Sequence, residues 1–229
     1  YSQDVANLKT FWSKRGFKPI IKAVSDDDAF LQQGDLVASE NSPTVAEILD
    51  WTLLWSDNLL AERLARLSAQ SAGYSLNDKG VDKVFRLLLN HFEIDGSKLV
   101  VVDASGLSKQ NKITAQMMAE LLYKMRKEEK FAPVYASLPV GGVSGTLRNR
   151  FISTAPSAVG LIRAKTGTLN GTATLAGFVQ STDREYVFVL LADEIAKGNT
   201  ALNKARAAID RVLGRIAAPN IPTEIIPAP

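Results

Sequence analysis

Residues 161–193 decide the fold and read LIRAKTGTLNGTATLAGFVQSTDREYVFVLLAD. Along this stretch the apolar residues recur at every second position, whereas the chain before it repeats with the period of about 3.6 that is typical of helices. Segments 161–167, 173–180 and 185–193 are therefore predicted strands. The polar run Ser181-Thr182-Asp183-Arg184 predicts a turn between the last two, which makes them an antiparallel hairpin.

Helical periodicity extends outward from this sheet. We expect one helix to open at Ser42-Pro43, with Pro43 in its first position, and to end near Trp55. Thr114 is the predicted cap of a helix that carries three methionines at core spacing. The other predicted helices are 4–15, a segment bearing Leu60, Leu64 and Leu67, 78–92, and 199–216, with short strands at 18–24 and 98–102.

The last predicted helix is amphipathic and closes the fold. Its predicted inward face comprises Leu202, Ala205, Ile209, Val212 and Leu213. A helical half followed by an antiparallel sheet and a packed C-terminal helix is an α/β fold of the α+β type.

Composition excludes several classes of function. The chain has 229 residues, 27 of them basic and 24 acidic, and this balance excludes an extended nucleic-acid surface. There is no cysteine, so disulfides and thiolate metal sites are excluded, and we expect neither a metal nor a cofactor. No run of 18 apolar residues occurs, so no transmembrane segment is predicted.

A single histidine, His91, stands at the end of an apolar helical run and is interpreted as structural. A serine enzyme with this sequence would need another base, and lysine is the usual substitute for histidine in that role.

Two tripeptides carry the chemistry. Ser56-Asp57-Asn58 lies at a predicted break between two helices, and Lys165-Thr166-Gly167 lies on the first predicted strand. Each alone is weak, because Ser56 by itself is more typical of a helix cap and Lys165 of a strand edge. Together they match, in order, two of the three elements S-x-x-K, S-D-N and K-T-G shared by penicillin-binding proteins and class A β-lactamases.

With these motifs, the sequence resembles the low-molecular-mass class C penicillin-binding proteins, the D-alanyl-D-alanine carboxypeptidase/endopeptidases. The resemblance extends from Pro43 to about Ile209. It includes the approach at residues 42–49, the run Asp103-Ala104-Ser105-Gly106-Leu107-Ser108-Lys109-Gln110-Asn111, and Gly145-Thr146-Leu147-Arg148. It implies a β-lactamase/transpeptidase-like fold.

The resemblance also implies a domain plan. Residues 1–40 resemble the exit from domains that this family inserts, 41–216 the C-terminal part of the penicillin-binding domain, and 217–229 a Pro-rich tail. No Ser-x-x-Lys occurs in the chain. The resemblance therefore places the nucleophilic serine and its lysine upstream of residue 1, on a missing N-terminal segment that would be a partner of this chain.

The residue roles that the resemblance implies are those of acyl transfer. Ser56 would carry a proton to the leaving amine, Asn58 would bind the substrate amide, and Lys165 would stabilise negative charge. The substrate-binding residues would be Thr166 through its hydroxyl, Gly167 through close backbone approach, and Thr168 through an oxyanion-binding N–H.

Four further residues are expected to lie in or near the cleft. Arg148 and Arg163 are candidates for substrate contact, whereas Asp103 and Ser105 are expected to shape a loop beside the cleft.

The function implied is a serine-type D-Ala-D-Ala carboxypeptidase or endopeptidase that acts on peptidoglycan stem peptides and is acylated by β-lactam antibiotics. The implied location is periplasmic or otherwise extracytoplasmic. The isolated chain is expected to be inactive. One alternative is a non-catalytic module that binds cell-wall peptide. A class A β-lactamase would need Glu-x-x-Leu-Asn between the two motifs, and no such run occurs.

Overall fold

The computed structural model describes residues 42–219 and, nearer the start, positions 6, 9, 10, 13, 14 and 16. The described residues from Pro43 onward belong to one compact unit. Of the helix predicted at 4–15, positions 6, 9, 10 and 13 are described, and all four are helical. The strand predicted at 18–24 and most of the Pro-rich tail lie outside the described residues, and the domain plan stays a prediction.

Within residues 42–219 the structure contains six α-helices and one three-stranded sheet. The helices are α1 (Val45–Trp55), α2 (Asn58–Ser71), α3 (Asp78–His91), α4 (Ala115–Lys127), α5 (Ala132–Ala136) and α6 (Asn199–Ala217). The strands are β1 (Ile162–Leu169), β2 (Thr172–Gln180) and β3 (Glu185–Ala192). Short 3₁₀ turns lie at Glu129–Phe131, Gly145–Leu147 and Pro156–Ala158.

The start of α1 differs from the prediction. Thr44 is the N-cap: its hydroxyl accepts from the Glu47 N–H at 3.3 Å, and the Glu47 carboxylate accepts from the Thr44 N–H at 2.8 Å. Pro43 in the first helical position is therefore wrong, because this reciprocal capping box begins the helix two residues later. The predicted end near Trp55 is confirmed, as is the Thr114 cap of α4.

The sheet has the order β1-β2-β3 and is antiparallel throughout. Lys165 on β1 pairs with Ala176 on β2, and Gly177 on β2 pairs with Phe188 on β3. The predicted hairpin is thus confirmed. The strand predicted at 98–102 is wrong: only Val100 forms a bridge, with Lys112, because the N–H of Val102 instead donates to the side chain of Asn111 at 2.6 Å.

One face of the sheet packs on α6. Ile162 and Ala164 on β1 are fully buried against a cluster that includes Ile209 and Leu213 of α6. A second cluster, centred on Leu89, Phe92 and Met117, lies in the helical part. Because side chains alternate along a strand, Thr166 and Thr168 continue the α6 side of β1, and Lys165 and Gly167 lie on the side of the helical part.

The inward face of α6 agrees with the predicted one at Ile209 and Leu213 and differs from it at Val212. Val212 is 51% exposed, so its predicted inward position is wrong. The buried residues of α6 are Ile209, Asp210, Leu213, Gly214 and Ala217, and the carboxylate of Asp210 pairs with Arg150. None of the helices within residues 42–219 combines the length and apolar character needed to cross a bilayer.

Candidate active site

Ser56 and Lys165 meet at the centre of the site. The Lys165 ammonium donates to the Ser56 hydroxyl at 2.6 Å, although the two residues are 109 positions apart. The same ammonium donates to the Thr166 carbonyl at 3.0 Å. The structure therefore joins the two motifs through one charged hydrogen bond.

The turn between α1 and α2 directs Ser56 toward this contact. Ser56 ends α1 in the left-handed conformation, with φ 60° and ψ 49°, which is uncommon for a residue other than glycine. The N-cap of α2 is Asp57, whose carboxylate accepts from the Leu60 N–H at 3.0 Å. Asp57 therefore caps the helix, and the Ser56 hydroxyl is free of that role and faces Lys165.

Burial makes the charged form of the Lys165 ammonium less favourable. The ammonium is largely removed from solvent, and this desolvation lowers the pKa of Lys165 from its ordinary value. A cation held in a partly dry site stabilises negative charge more strongly than one in water.

A cavity of about 1020 Å³ opens over this pair. Both motifs line it, and so do loop residues such as Ser105 and Thr146. The predicted site residues that line the cavity are Ser56, Asn58, Lys165, Thr166, Gly167 and Thr168. The structure thus brings all six to one place.

The edge of β1 is shaped by its neighbours. The Thr166 and Thr146 hydroxyls are hydrogen-bonded at 3.0 Å, which ties the strand to the Gly145–Leu147 turn. At Gly167, an added Cβ would lie 2.3 Å from the Thr174 hydroxyl of β2. The absence of a Cβ at Gly167 therefore leaves room for the Thr174 hydroxyl beside β1.

A loop at residues 103–111 forms one wall. The Asp103 carboxylate accepts from the N–H groups of Gly106 and Ser108, each at 2.6 Å, and from the Asn111 side chain at 2.9 Å. Burial alone would raise the pKa of Asp103, but these bonds outweigh it and hold the pKa below its ordinary value. Asp103 therefore shapes the loop, as expected.

Glu62 attaches this wall to α2. Its carboxylate accepts from the N–H groups of Ala104 and Ser105, each at 2.9 Å. On the other side, the Lys109 ammonium donates to the Asn170 carbonyl in the β1–β2 turn at 3.1 Å. The loop is thus connected to both sides of the cavity.

A buried ion pair supports the opposite wall. Arg150 pairs with Asp210 of α6, whose side chain is only 4% exposed, and the Thr154 hydroxyl donates to Asp210 at 2.9 Å. The Arg206 guanidinium, also on α6, donates to the Thr168 hydroxyl at 3.0 Å. Both arginines line the cavity.

His91, interpreted as structural, and the two arginine candidates Arg148 and Arg163 lie elsewhere. His91 contacts Glu128 at 3.3 Å and Lys130 at 3.1 Å. The guanidinium of Arg148 lies over the Trp55 ring, and that of Arg163 over the Tyr135 ring. None of the three lines the cavity, so the geometry does not support Arg148 or Arg163 as substrate contacts.

Comparison of the sequence with protein families agrees with the geometry of this site. A model of the D-Ala-D-Ala carboxypeptidase 3 (S13) family matches residues 4–216. The chain belongs to this family. The resemblance inferred from the two motifs is therefore confirmed.

Individual relatives of this chain are much longer than the chain itself. Carboxypeptidase DacB of Mycolicibacterium smegmatis is 34% identical over 190 residues, which are 80% of this chain and 41% of the relative. The D-alanyl-D-alanine carboxypeptidase of an Actinomadura species is 34% identical over 166 residues, 70% of this chain and 30% of that protein. The chain thus spans less than half the length of these relatives.

A solved structure confirms the fold class. Penicillin binding protein 4 from Haemophilus influenzae, complexed with a β-lactam, superposes with a TM-score of 0.65 at 25% identity. The match covers 73% of this chain and 40% of the other. The predicted penicillin-binding, transpeptidase-like fold is therefore correct for this S13 chain.

Sequence reasoning missed the polar residues of α6 and its partner loop. Arg206 and Asp210 are spaced by one helical turn, in phase with Leu213, Gly214 and Ala217. That phase places Asp210 on the buried stripe, and a buried carboxylate requires a cationic or hydrogen-bonding partner. The sequence alone could therefore have predicted that Asp210 is buried and paired. It could not have identified Arg150 as the partner of Asp210.

Proposed function

We propose that the whole protein is a serine-type D-Ala-D-Ala carboxypeptidase or endopeptidase that cleaves peptidoglycan stem peptides and is acylated by β-lactams. The observation that carries this proposal is the 2.6 Å contact between the Lys165 ammonium and the Ser56 hydroxyl inside a large cavity. A hydroxyl that both donates and accepts, next to a cation, is suited to moving a proton during acyl transfer.

In the proposed reaction, a nucleophilic serine attacks the carbonyl of the D-Ala-D-Ala bond and the leaving amine takes up a proton. Ser56 relays that proton, and Lys165 stabilises the negative charge that develops. Asn58 binds the substrate amide, and the Thr168 N–H is one of the donors to the oxyanion. The Thr166 hydroxyl binds the terminal carboxylate of the substrate.

The nucleophile would come from outside these 229 residues, since no Ser-x-x-Lys occurs among them. We infer that a segment of the same protein bearing this motif packs into the cavity of about 1020 Å³ beside Ser56 and Lys165. Because peptidoglycan lies outside the cytoplasmic membrane, the place of action is extracytoplasmic.

Intact mass after incubation with excess benzylpenicillin tests this function. We expect a stoichiometric adduct on the full-length protein and none on residues 1–229 alone. No adduct on either would contradict the enzyme proposal and favour a module that only binds cell-wall peptide. An adduct on residues 1–229 alone would mean that a serine of this chain is itself acylated.

Variants of the full-length protein test the two central roles. Ser56→Ala and Lys165→Ala should each slow penicillin acylation by roughly 10²–10⁴-fold, the effect of losing a proton-transfer or charge-stabilising group. Lys204→Ala, which removes an exposed lysine of α6, is the matched control and should acylate at the wild-type rate. Unchanged rates in the first two variants would refute the assigned roles.

A further inference from the structure

A single carboxylate oxygen on α2 connects that helix to the 103–111 loop. The Oε1 atom of Glu62 accepts from the N–H groups of Ala104 and Ser105, each at 2.9 Å, and these residues lie 42 and 43 positions further along the chain. Ala104 and Ser105 line the cavity, whereas Glu62 does not. Glu62 therefore contacts the cavity wall from behind and lies outside the space that a substrate would occupy.

The two oxygens of the Glu62 carboxylate have different partners. Oε2 lies 4.0 Å from the guanidinium of Arg66, one turn further along α2, and both side chains of this pair are partly exposed. Oε1 is left to the two main-chain N–H groups of the loop. Because the loop bonds only to Oε1, Arg66 can be removed without removing an acceptor from the loop.

Glu62 lies on the same helix as a residue of the candidate site. Asn58 begins α2 one turn before Glu62, and side chains spaced by four positions lie on one side of a helix. Asn58 and Ala61 both line the cavity. The helix α2 thus presents Asn58 to the cavity and, one turn later, holds the loop that borders the same cavity. The Glu62 side chain therefore sets the distance between Asn58 and the main chain of Ala104.

The carboxylate of Asp103, within the loop itself, has a different effect. It accepts from Gly106, Ser108 and Asn111, all of which belong to the loop. These bonds fix the shape of the loop and not its distance from α2. Without the Glu62 carboxylate, two main-chain N–H groups would lose their acceptor, and the position of the loop would be less restricted. Ordering such a loop when a ligand binds lowers the affinity.

We propose that Glu62 is a positioning residue, which holds the 103–111 loop at the distance from Asn58 that binding of the peptide substrate requires. The inference rests on the proposed function, because it concerns the same peptide in the same cavity. Glu62 acts through the main chain of Ala104 and Ser105 and contacts neither the substrate nor the reacting atoms. Its loss should therefore weaken substrate binding and leave the chemical step nearly unchanged.

Steady-state kinetics of the full-length protein test this role. The substrate is an N-acetylated peptide that ends in D-Ala-D-Ala. Glu62→Ala should raise KM about 10-fold and change kcat by less than about threefold, because two hydrogen bonds to a charged group are lost from the loop while the reacting groups are kept. Glu62→Gln should return KM most of the way to the wild-type value, because its amide oxygen can still accept from the loop.

Two control variants separate positioning from a general loss of stability. Arg66→Ala removes the ion pairs of Arg66 with Glu62 and Asp78 but no bond to the loop, so its KM should equal that of the wild type. Asn77→Ala removes the cap of α3 away from the cavity and should also leave KM unchanged. A KM raised as much in Asn77→Ala as in Glu62→Ala would show that the effect is only a loss of stability.

Hydrogen exchange measures how firmly the loop is held, without any catalysis. In the full-length protein, the amides of Ala104 and Ser105 should exchange faster in Glu62→Ala than in the wild type, because they lose their acceptor. Glu62→Gln should exchange at close to the wild-type rate. Mass spectrometry of peptides that span residues 103–108 measures both rates. Unchanged exchange in Glu62→Ala would overturn the positioning role.

The outcomes separate this inference from the proposed function. In a protein that benzylpenicillin acylates, an unchanged KM in Glu62→Ala, or a KM raised equally in the Ala and Gln variants, would overturn only the role of Glu62. In a protein that forms no adduct, the Kd of the same peptide from calorimetry replaces KM. A Kd raised in Glu62→Ala and restored in Glu62→Gln would then support the positioning role and contradict only the enzyme proposal, and an unchanged Kd would overturn the positioning role.

Discussion

At the scale of single residues, the site combines two locally unfavourable features. Ser56 has the left-handed backbone conformation, and Lys165 holds its ammonium away from water. Such a conformation costs of order 1–3 kcal/mol and persists only where the surrounding structure enforces it. Here the helix start at Asp57 and the hydrogen bond to Lys165 are the enforcing contacts.

The lowered pKa of Lys165 predicts a pH profile. Burial disfavours its charged form, so the ammonium should lose its proton below the ordinary value of 10.5. Penicillin acylation by the full-length protein should therefore decline on an alkaline limb that lies below that pH. In Lys165→Arg the limb should move upward, because a guanidinium stays charged. An unmoved limb in the rates against pH would assign it to another group.

The same shift has a consequence for folding. Between the folded and unfolded pKa values of Lys165, the unfolded state binds more protons, so the contribution of this group to stability increases with pH over that interval. The buried charge thus destabilises the fold at neutral pH.

At the scale of elements, the junction between α1 and α2 positions Ser56. Asp57→Ala removes the N-cap of α2, which should cost about 1 kcal/mol in unfolding free energy and also slow acylation, because Ser56 is adjacent. Asn77→Ala removes a comparable cap from α3 away from the cavity. Urea unfolding should show a similar loss for both variants, with acylation slowed only in Asp57→Ala. Asp57→Ser, which restores a cap, should recover both properties.

The 103–111 loop is an element held by one carboxylate. Because the folded pKa of Asp103 lies below its ordinary value of 3.8, this group stabilises the fold above that pH, and the contribution is lost as pH falls through the folded pKa. The stability difference between wild type and Asp103→Asn should therefore shrink as pH falls below 3.8 in urea unfolding series. Gln110→Ala, an exposed neighbour, is the control. A difference that does not change with pH would show that the charge is unimportant.

At the scale of the whole molecule, Arg150 and Asp210 connect α6 to a loop 60 positions away in sequence. Their side chains are 15% and 4% exposed, so removing one partner leaves a buried charge. Asp210→Ala should cost about 3–5 kcal/mol in unfolding free energy, measured with denaturant. The exposed pair Arg184 and Asp183 is the control, and Asp183→Ala should cost much less than Asp210→Ala because solvent screens the exposed pair. Equal losses would contradict the structural role of the buried pair.

Local sequence patterns were sufficient to predict most of the helices and strands. The hairpin of β2 and β3 follows from alternation and one polar turn, and the ends of α1 and α6 follow from helical spacing. Where two local signals competed, the pattern was less reliable. Pro43 and Thr44 both favour a helix start, and the reciprocal bond between Thr44 and Glu47 places it after Thr44. After Val100, the Asn111 side chain accepts from the N–H groups of Val102 and Asp103, which a strand would have used.

In the candidate site, too, the sequence predicted some features and the tertiary structure decided others. Its residue types, Ser56, Asn58 and the Lys165 motif, are readable from the sequence because each is a short pattern with a known chemistry. The contacts between Lys165 and Ser56 and between Arg206 and Thr168 join residues 109 and 38 positions apart. Such pairs cannot be predicted from local sequence, because the packing of the sheet against α6 and the helical part sets the distances between their side chains. The exposure of Val212 and the burial of Asp210 were likewise not readable from local sequence, because the Arg150 partner of Asp210 lies 60 positions away.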